Sequence, residues 1–249
     1  MSTYKEIVAL LRANTGARRI SQVFDDFVEI FALALRNAID HRGRQEREEQ
    51  YLQVIAPYSR EELDRFARAF SLVVVEMERD PQDILGRLYM ELELGNSSMG
   101  QFFTPYDIAR LIAELNLPGM TEQVERRGYA ELYEPACGAG AFIIAAAQAM
   151  RQAGMNPQKV LHVTAEDLSV QAVHMIYIHL TLLHIPATIH RKNTLTREHY
   201  DTWTTAAHVL GGWSWRLHRG EAVHERPALR LVDAVYPDDA PLPADRKSA

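Results

Sequence analysis

The first third of the chain carries apolar residues at the period of an α-helix. One stripe with three- and four-residue spacing consists of Val23, Phe24, Phe27, Ile30, Phe31 and Ala34. Farther along, Ser59 is followed by Glu62, which is the spacing of a capping box at the start of a helix. These patterns predict a helical N-terminal domain over residues 1–95. A charged stretch at 36–50 interrupts it, and we interpret this stretch as a loop or an exposed helix end.

Two dipeptides that end in proline indicate further helix starts. Asp80-Pro81 has the order of an N-cap followed by the first helical residue, and Thr104-Pro105 repeats this order. The helix predicted after Thr104-Pro105 has its buried face at Ile108, Leu111, Ile112 and Leu115. Pro118-Gly119 is a stop signal, so we predict that this helix ends there.

From residue 128 onward, short apolar runs alternate with helical segments. The strand candidates lie at 128–140, 159–167 and 187–195, and the helical segments lie at 141–154 and 169–185. This alternation predicts an α/β domain with a Rossmann-like parallel sheet over residues 96–200. Right-handed crossovers bring the carboxyl ends of such strands to one edge of the sheet, where ligands bind.

Beyond residue 200 the periodic signal fades. Segment 201–235 contains Trp203, Trp213 and Trp215 without a clear period, so we predict an irregular segment whose tryptophans are used for packing. Residues 236–249 are polar and rich in proline, which predicts a disordered tail.

Composition limits the class of protein. Apolar residues make up 47% and charged residues 24% of the 249, and no run approaches the roughly 18 apolar residues of a membrane span. The N-terminus is too short and too polar for a secretory signal, so we expect a cytoplasmic protein. A net charge of −6 argues against tight, autonomous binding to duplex DNA, but not against binding through a partner.

The most informative segment follows the first strand candidate. It reads Glu134-Pro135-Ala136-Cys137-Gly138-Ala139-Gly140, and its two glycines allow a tight turn that a ligand can approach closely. A dinucleotide fingerprint needs a third glycine where this chain has Ile143, and the Gly-Lys-Ser/Thr of a P-loop is absent. The acid at the strand end suits a ligand with a cationic amino group, which S-adenosylmethionine has and NAD lacks.

Polar residues also end the next two strand candidates. Glu166 and Asp167 close the second strand, where a carboxylate can accept both hydroxyls of an adenosine ribose. Strand alternation sends their side chains to opposite faces, and Glu166 is our first choice for the ribose with Asp167 as the alternate. Asn193 ends the third strand, where its side-chain amide can contact the adenine edge.

Cysteine and histidine residues do not indicate a reactive thiol or a metal site. Cys137 is the single cysteine, which excludes an intrachain disulfide, and its small neighbours in a tight turn favour a buried, inert thiol. His174, His179 and His184 are five residues apart, a spacing that does not place ligands on one helical face. We therefore predict no metal site.

With its motifs in this order, the chain resembles N6-adenine DNA methyltransferases, in particular the modification subunits of type I restriction systems. The family pattern Gly-Gln-Tyr/Phe-Phe-Thr-Pro is matched at 100–105, and Asp-Pro-Ala-Cys-Gly-Ser-Gly is matched at 134–140 with Glu134 for Asp and Ala139 for Ser. The acidic end of the family's second strand is matched by Glu166, and its Gly-Asp-Thr-Leu is matched in part at 192–195. The resemblance covers residues 50–196.

This resemblance implies a Rossmann-like fold, preceded by a helical domain, that binds S-adenosylmethionine. By analogy, Gly138 and Gly140 admit the methionine portion of the cofactor beside Ala136, and Glu134 holds its amino group. Phe102 and Thr104 close over it in the same analogy. The implied partners are DNA, reached directly or through a partner subunit, and a second copy of the chain or a specificity-type subunit.

One motif of the family has no counterpart in this chain. The family places Asn-Pro-Pro-Tyr/Phe after its fourth strand to hold the flipped adenine, but this sequence contains no Pro-Pro and no Asn-Pro-aromatic. We therefore assign no catalytic residue. Two other hypotheses stay open: a catalytically silent, methyltransferase-derived module associated with restriction or conjugation, and a methyltransferase that acts on a small molecule or a protein.

Overall fold

A computed structural model describes residues 3–92 and 104–223 of the chain. The helices that precede the sheet are α1 (Thr3–Ala13), α2 (Ile20–Asn37), α3 (Arg44–Ile55), α4 (Arg60–Arg79), α5 (Ile84–Glu91) and α6 (Tyr106–Arg127). The elements that follow are β1 (Ala130–Glu134), α7 (Ala141–Gln152), α8 (Pro157–Val160), β2 (Leu161–Asp167), α9 (Val170–Leu182), β3 (Ala187–Lys192), β4 (His199–Thr204), α10 (Ala206–Leu210) and α11 (Trp213–Val223). Within these ranges, no helix is long and apolar enough to cross a membrane.

Aromatic side chains of α2 and α4 form the core of the helical region. The Phe27 and Phe66 rings lie 5.7 Å apart, and Phe31 stacks on Phe70 at 3.9 Å. Paired rings in these geometries add to the free energy that apolar burial contributes. The helical stripe predicted from the sequence is confirmed, except that Ala34 is exposed.

Helix boundaries in this region follow the capping residues. Ser59 and Glu62 form the predicted capping box at the start of α4. The predicted start at Asp80-Pro81 is wrong, because Asp80 is the C-cap of α4. The carboxylate of Asp83 accepts a hydrogen bond from the backbone N–H of Gly86 at 2.8 Å, and α5 begins after this residue.

The charged stretch at 36–50 is more ordered than the sequence suggested. Its second half belongs to α3, which starts after Gly43 and buries none of its residues. The Arg47 guanidinium donates to the side-chain oxygen of Asn37 at 2.8 Å and so ties α3 to α2. The apolar residues of α3 that pack against the core, Tyr51, Val54 and Ile55, lie after residue 50, so the charged stretch itself has no apolar stripe and its sequence pattern was ambiguous.

The helix α6 buries a different face from the one we predicted. Its small residues Ala109 and Ala113 are fully buried against α7, which is itself rich in alanine. The predicted stripe is exposed, with exposed fractions of 48% for Ile108, 54% for Leu111, 39% for Ile112 and 73% for Leu115. Small side chains on both helices allow close approach, and this packing decides which face is buried.

The predicted end of α6 at Pro118-Gly119 is also wrong. The helix continues through Pro118 and ends where Gly128 adopts a φ of 78°. Its last turns are held by tertiary contacts: Met120 is buried, and the side chain of Gln123 accepts the backbone N–H of Glu131 in β1 at 3.1 Å. These contacts offset the hydrogen bond that proline removes.

The sheet has four strands in the order β1-β2-β3-β4. β1, β2 and β3 are parallel, and β4 is antiparallel to β3. Helices α7 and α9 connect the parallel strands, so the carboxyl ends of β1, β2 and β3 meet at one edge. The prediction of a Rossmann-like α/β fold with a partial sheet is confirmed.

Of the segment 201–235, which we predicted to be irregular, residues 201–223 form regular elements, while the rest of it and the tail predicted at 236–249 lie outside the described residues. Residues 201–223 form most of β4 and the helices α10 and α11. Trp203 and Trp213 are buried as predicted, whereas Trp215 is 62% exposed. Trp203 lies in β4 against Tyr177 of α9, and such contacts across the fold order a segment that has no local period.

Candidate functional site

The turn after β1 requires glycine at two positions. Gly138 and Gly140 have φ values of 53° and 92°, which L side chains rarely adopt. A Cβ atom on Gly140 would lie 1.9 Å from the Cδ1 atom of Ile176 on α9. The backbone N–H of Cys137 donates to the carbonyl of Glu166 at 2.9 Å, which joins the turn to β2. The turn is therefore tight, fixed to its neighbours and free of side chains at its glycines.

Glu134 lies at the carboxyl end of β1, as predicted. Its Oε1 atom accepts the backbone N–H of Ala136 at 3.3 Å, so the carboxylate folds back over the turn. The Glu134 side chain is half-buried and Ala136 is exposed. This position leaves a negative charge at the mouth of the turn.

Asp167 is the last residue of β2 and connects the end of this strand to the glycine turn. Its Oδ2 atom accepts the backbone N–H of Gly138 at 2.9 Å, and its Oδ1 atom accepts the backbone N–H of Ser169 at 2.8 Å. Each carboxylate oxygen has a second lone-pair direction, and the residue is half-buried. The Asp167 carboxylate is therefore held rigidly beside the turn and retains acceptor capacity.

Glu166, the neighbouring residue, lies in a different environment. It is 4% exposed, and its two oxygens accept hydrogen bonds from Lys192 Nζ and Thr194 Oγ1, each at 3.1 Å. Burial raises the pKa of Glu166, but these hydrogen bonds and the charge of Lys192 outweigh it, so its pKa is lowered overall. Glu166 thus binds β3 and the following loop to β2.

The loop after β3 completes this edge of the sheet. The side-chain oxygen of Asn193 accepts the backbone N–H groups of Leu195 and Thr196 at 3.1 and 3.2 Å, so it caps the loop. The Thr194 hydroxyl also lies 2.8 Å from the carbonyl oxygen of Pro135, so its one hydrogen is shared between this carbonyl and Glu166, and the contact brings the loop against the turn after β1. Sequence reasoning missed the structural roles of Thr194 and Lys192, although both lie in the partly matched segment 192–195.

Three further residues singled out from the sequence remain, namely Phe102, Thr104 and Cys137. Thr104 is exposed and lies just before α6, while Phe102 is outside the described residues. Cys137 is buried, and burial raises its pKa well above the usual value. A thiol with a raised pKa carries little thiolate, which agrees with the inert interpretation.

A separate cleft of about 790 Å³ lies away from this edge, between the ends of α4 and α7. Its lining includes Arg79, Gln148, Arg151 and Leu183, but none of the residues predicted to bind a cofactor. The chemistry that the sequence predicted therefore belongs to the open edge and not to this cleft.

Taken together, the edge offers a specific set of groups. Two carboxylates, Glu134 and Asp167, flank a glycine turn that leads into the N-terminus of α7, whose first N–H groups have no partner within the helix. Such a set can hold a ligand with a cationic group, vicinal hydroxyls and an extended middle that passes close to the backbone.

Sequence comparison assigns this architecture to a family. The N-6 DNA methylase family pattern matches residues 81–234, more than half of the chain. The chain belongs to the N-6 DNA methylase family. The matched region of the chain runs from just before α5 through the whole sheet and contains the glycine turn, Asp167 and Asn193.

Solved structures with a similar fold include two methyltransferases. One is the methyltransferase subunit of a type I restriction-modification system from Streptococcus thermophilus, with 16% identity, a TM-score of 0.43, and coverage of 78% of this chain and 58% of that chain. The other is described as a class I S-adenosylmethionine-dependent methyltransferase from Listeria monocytogenes, with 14% identity, a TM-score of 0.41, and coverage of 75% and 52%. The chain thus spans between half and three fifths of the length of these proteins. A comparison with curated proteins gave no significant match.

Proposed function

We propose that this member of the N-6 DNA methylase family binds S-adenosylmethionine at the carboxyl ends of β1 and β2. The observation that carries the proposal is the Asp167 carboxylate, hydrogen-bonded to Gly138 within a glycine turn that admits no side chain at Gly140. The groups at this edge fit the cofactor. The carboxylates can accept hydrogen bonds from the amino group and the ribose hydroxyls of S-adenosylmethionine, and the turn, free of side chains at its glycines, leaves room for the chain that joins them. When bound, S-adenosylmethionine supplies an electrophilic methyl group.

In this proposal each residue at the edge has one role. Glu134 holds the cationic amino group, and Ala136, Gly138 and Gly140 allow the methionine portion to lie against the backbone. Asn193 contacts the adenine edge through its side-chain amide nitrogen, since its oxygen already caps the loop. Phe102 and Thr104 cover the ligand from the segment before α6.

For the ribose, we propose Asp167 in place of Glu166, which was our first choice from the sequence. Each oxygen of both carboxylates already accepts one hydrogen bond, but Glu166 is only 4% exposed and is paired with Lys192, so recruiting its oxygens would break that ion pair. Asp167 is half-buried and lies beside the turn. A buried carboxylate that loses its cation is costly, so the available carboxylate is the better ligand.

Calorimetric titration with S-adenosylmethionine into wild type, Asp167→Asn and Glu166→Gln tests this proposal. A hydrogen bond to a charged group contributes about 1.5–3 kcal/mol, so Asp167→Asn, if it loses one such bond, is expected to weaken binding roughly 10- to 150-fold. Glu166→Gln is expected to change affinity less than about fivefold and to lower stability instead, because it disrupts a buried ion pair. The absence of binding by folded wild type would reject the proposal, and equal binding of ATP would indicate a general nucleotide site.

We propose further that the methyl acceptor is adenine N6 in DNA and that transfer needs groups beyond the described residues. Support comes from the family and from the lack of any Pro-Pro or Asn-Pro-aromatic in the sequence. The same lack favours a second candidate, a module that binds the cofactor without transferring its methyl group. The two are separated by incubating the protein with labelled S-adenosylmethionine and an adenine-containing duplex, once with added type I partner subunits and once without them. Label in the DNA from either incubation indicates the enzyme. No label in the DNA from either incubation indicates the silent module.

A further inference from the structure

The imidazole of His179 lies between two parts of the molecule that are far apart in sequence. It is fully buried on α9. Its Nδ1 atom lies 2.9 Å from the carbonyl oxygen of Ala139, and its Nε2 atom lies 3.3 Å from the backbone nitrogen of Leu85. Ala139 is in the glycine turn and Leu85 is in α5, so one side chain contacts both.

The two partners define the protonation of His179. A backbone carbonyl only accepts, so Nδ1 carries the hydrogen, and a backbone N–H only donates, so Nε2 is the bare acceptor. Burial lowers the pKa of His179 to about 4, which keeps the ring neutral near pH 7. The carboxylate of Asp83 is the nearby acid, 4.0 Å from Nδ1. The ring is therefore a fixed donor toward the turn and a fixed acceptor toward α5.

At α5, His179 completes the helix N-terminus. The first N–H groups of a helix lack partners within it. Asp83 satisfies the N–H of Gly86, and His179 satisfies the N–H of Leu85. A helix that belongs to the N-terminal region is thus capped in part by a residue 94 positions later in the chain.

At the turn, His179 fixes the direction of one peptide group. The Ala139 carbonyl stands between Gly138 and Gly140, and glycine gives this peptide more rotational freedom than any other residue type. A hydrogen bond from a rigid, buried ring selects one orientation. Selecting the bound conformation in advance lowers the cost of ordering the turn around a ligand.

We propose that His179 is a positioning residue that orients the cofactor turn and couples it to α5. This inference rests on the proposed binding of S-adenosylmethionine at the turn. It assigns two separable functions to one ring: Nδ1–H orients the turn, and Nε2 anchors α5. It also predicts that filling the site protects the Leu85 amide from hydrogen exchange, because both contacts depend on the same ring.

Two substitutions separate these functions. In His179→Asn the side-chain nitrogen occupies the place of Nδ1 and still donates to Ala139, but nothing reaches Leu85. In His179→Gln the terminal oxygen occupies the place of Nε2 and still accepts from Leu85, but the donor to Ala139 is lost. His184→Asn, at an exposed position on the turn after α9, is the matched control.

Titration with S-adenosylmethionine and urea unfolding are measured on all four proteins. Both His179 variants lose stability, but only His179→Gln is expected to weaken binding, by about tenfold, while His179→Asn stays within about threefold of wild type. A loss of affinity that follows the loss of stability equally in both variants would overturn the inference, as would unchanged affinity in both.

Hydrogen exchange of the ligand-free proteins keeps the inference separate from the proposed function. Faster exchange of amides 138–141 is expected in His179→Gln and not in His179→Asn, and the reverse is expected at Leu85. If wild type binds no S-adenosylmethionine, the proposed function fails, and this exchange pattern alone decides whether His179 orients the turn. Identical exchange in the two variants would refute the positioning role.

Discussion

The two ends of the parallel strands have opposite character. At the carboxyl ends, Glu134 and Asp167 lie beside a glycine turn and keep their charges in partial contact with solvent. At the amino ends, His162 and Trp213 are buried, and the His162 ring contacts the His208 ring through a 2.8 Å hydrogen bond. One end is therefore open and charged, and the other is closed by neutral aromatic and imidazole rings.

This difference separates ligand chemistry from stability within one sheet. A closed end gains free energy from apolar burial and keeps its polar groups satisfied by internal partners. An open end leaves acceptors and first-turn N–H groups of a helix available to a ligand. A substitution at the closed end should therefore change stability alone, whereas one at the open end should change affinity only where it displaces the glycine turn or its carboxylates. The following three predictions test this, from the largest expected effect to the smallest.

Gly140→Ala is expected to have the largest effect. The new Cβ atom meets Ile176 in the buried core at a position with φ of 92°, so overpacking and backbone strain together cost about 2–4 kcal/mol of unfolding free energy and displace the turn. Gly154→Ala is the control, because its φ is 83° but nothing lies within 4 Å of the added atom. Urea unfolding and cofactor titration are measured on both variants. Equal losses of unfolding free energy in Gly140→Ala and Gly154→Ala would show that backbone strain, and not overpacking against Ile176, is responsible.

Acid is expected to act mainly on the buried imidazoles. Burial lowers the pKa of His162 to about 3 and of His174 to about 4. These folded-state pKa values lie below the usual 6.5 of an unfolded histidine. The contribution of each neutral imidazole to the free energy of unfolding is therefore fully present above pH 6.5 and is lost as the pH falls toward 4. Asp83 has the opposite effect on stability. Burial raises the pKa of its carboxyl to about 6, so protonation of this group as the pH falls below 6 favours the folded state.

His162→Gln isolates one of these imidazoles at the closed end. Its amide reaches the place of Nε2 and retains a hydrogen bond to His208, but it does not titrate. Relative to wild type, the variant is expected to gain about 2–3 kcal/mol of unfolding free energy between pH 7.5 and pH 4.5, with cofactor binding unchanged at pH 7.5. Urea unfolding across this range is the measurement, and parallel pH curves for the two proteins would argue against the neutral buried state.

Ser169→Ala should have the smallest effect and bears on the open end. The Ser169 hydroxyl caps α9 by accepting the N–H of Ala172 at 3.3 Å. The hydrogen bond to the Asp167 carboxylate comes from the backbone N–H of Ser169 and is kept in the variant. Loss of this cap is expected to cost about 1 kcal/mol of unfolding free energy and to leave cofactor affinity within about twofold. A large drop in affinity would mean that the open end depends on the position of α9 as much as on Asp167.

The sequence predicted those features whose signals are local. The capping box at Ser59 and Glu62, the N-cap at Ser169 and the glycine turn at 138–140 each depend on a few adjacent residues, and all three are present. Alternation of strand and helix also predicted the parallel sheet, because chirality restricts how such units connect. The edge that carries the candidate site followed from this alternation without further information.

Predictions that depended on distant neighbours were less successful. The stripe from Ile108 to Leu115 has the period of a buried face, but the alanines of α6 meet those of α7, and the stripe is left exposed. Segment 201–223 has no period because its order comes from contacts such as that of Trp203 with Tyr177. Period indicates which residues share a face, and it does not indicate what that face meets.

For this protein, the sequence by itself determined the helical region, the alternation that gives a parallel sheet and the composition of the glycine turn, since each follows from local patterns. Only the tertiary structure decided that Glu166 is buried with Lys192 while Asp167 lies beside Gly138, and that His179 contacts both Ala139 and Leu85. Adjacent carboxylates have the same intrinsic chemistry, and the environment that separates them is built by residues brought close by folding.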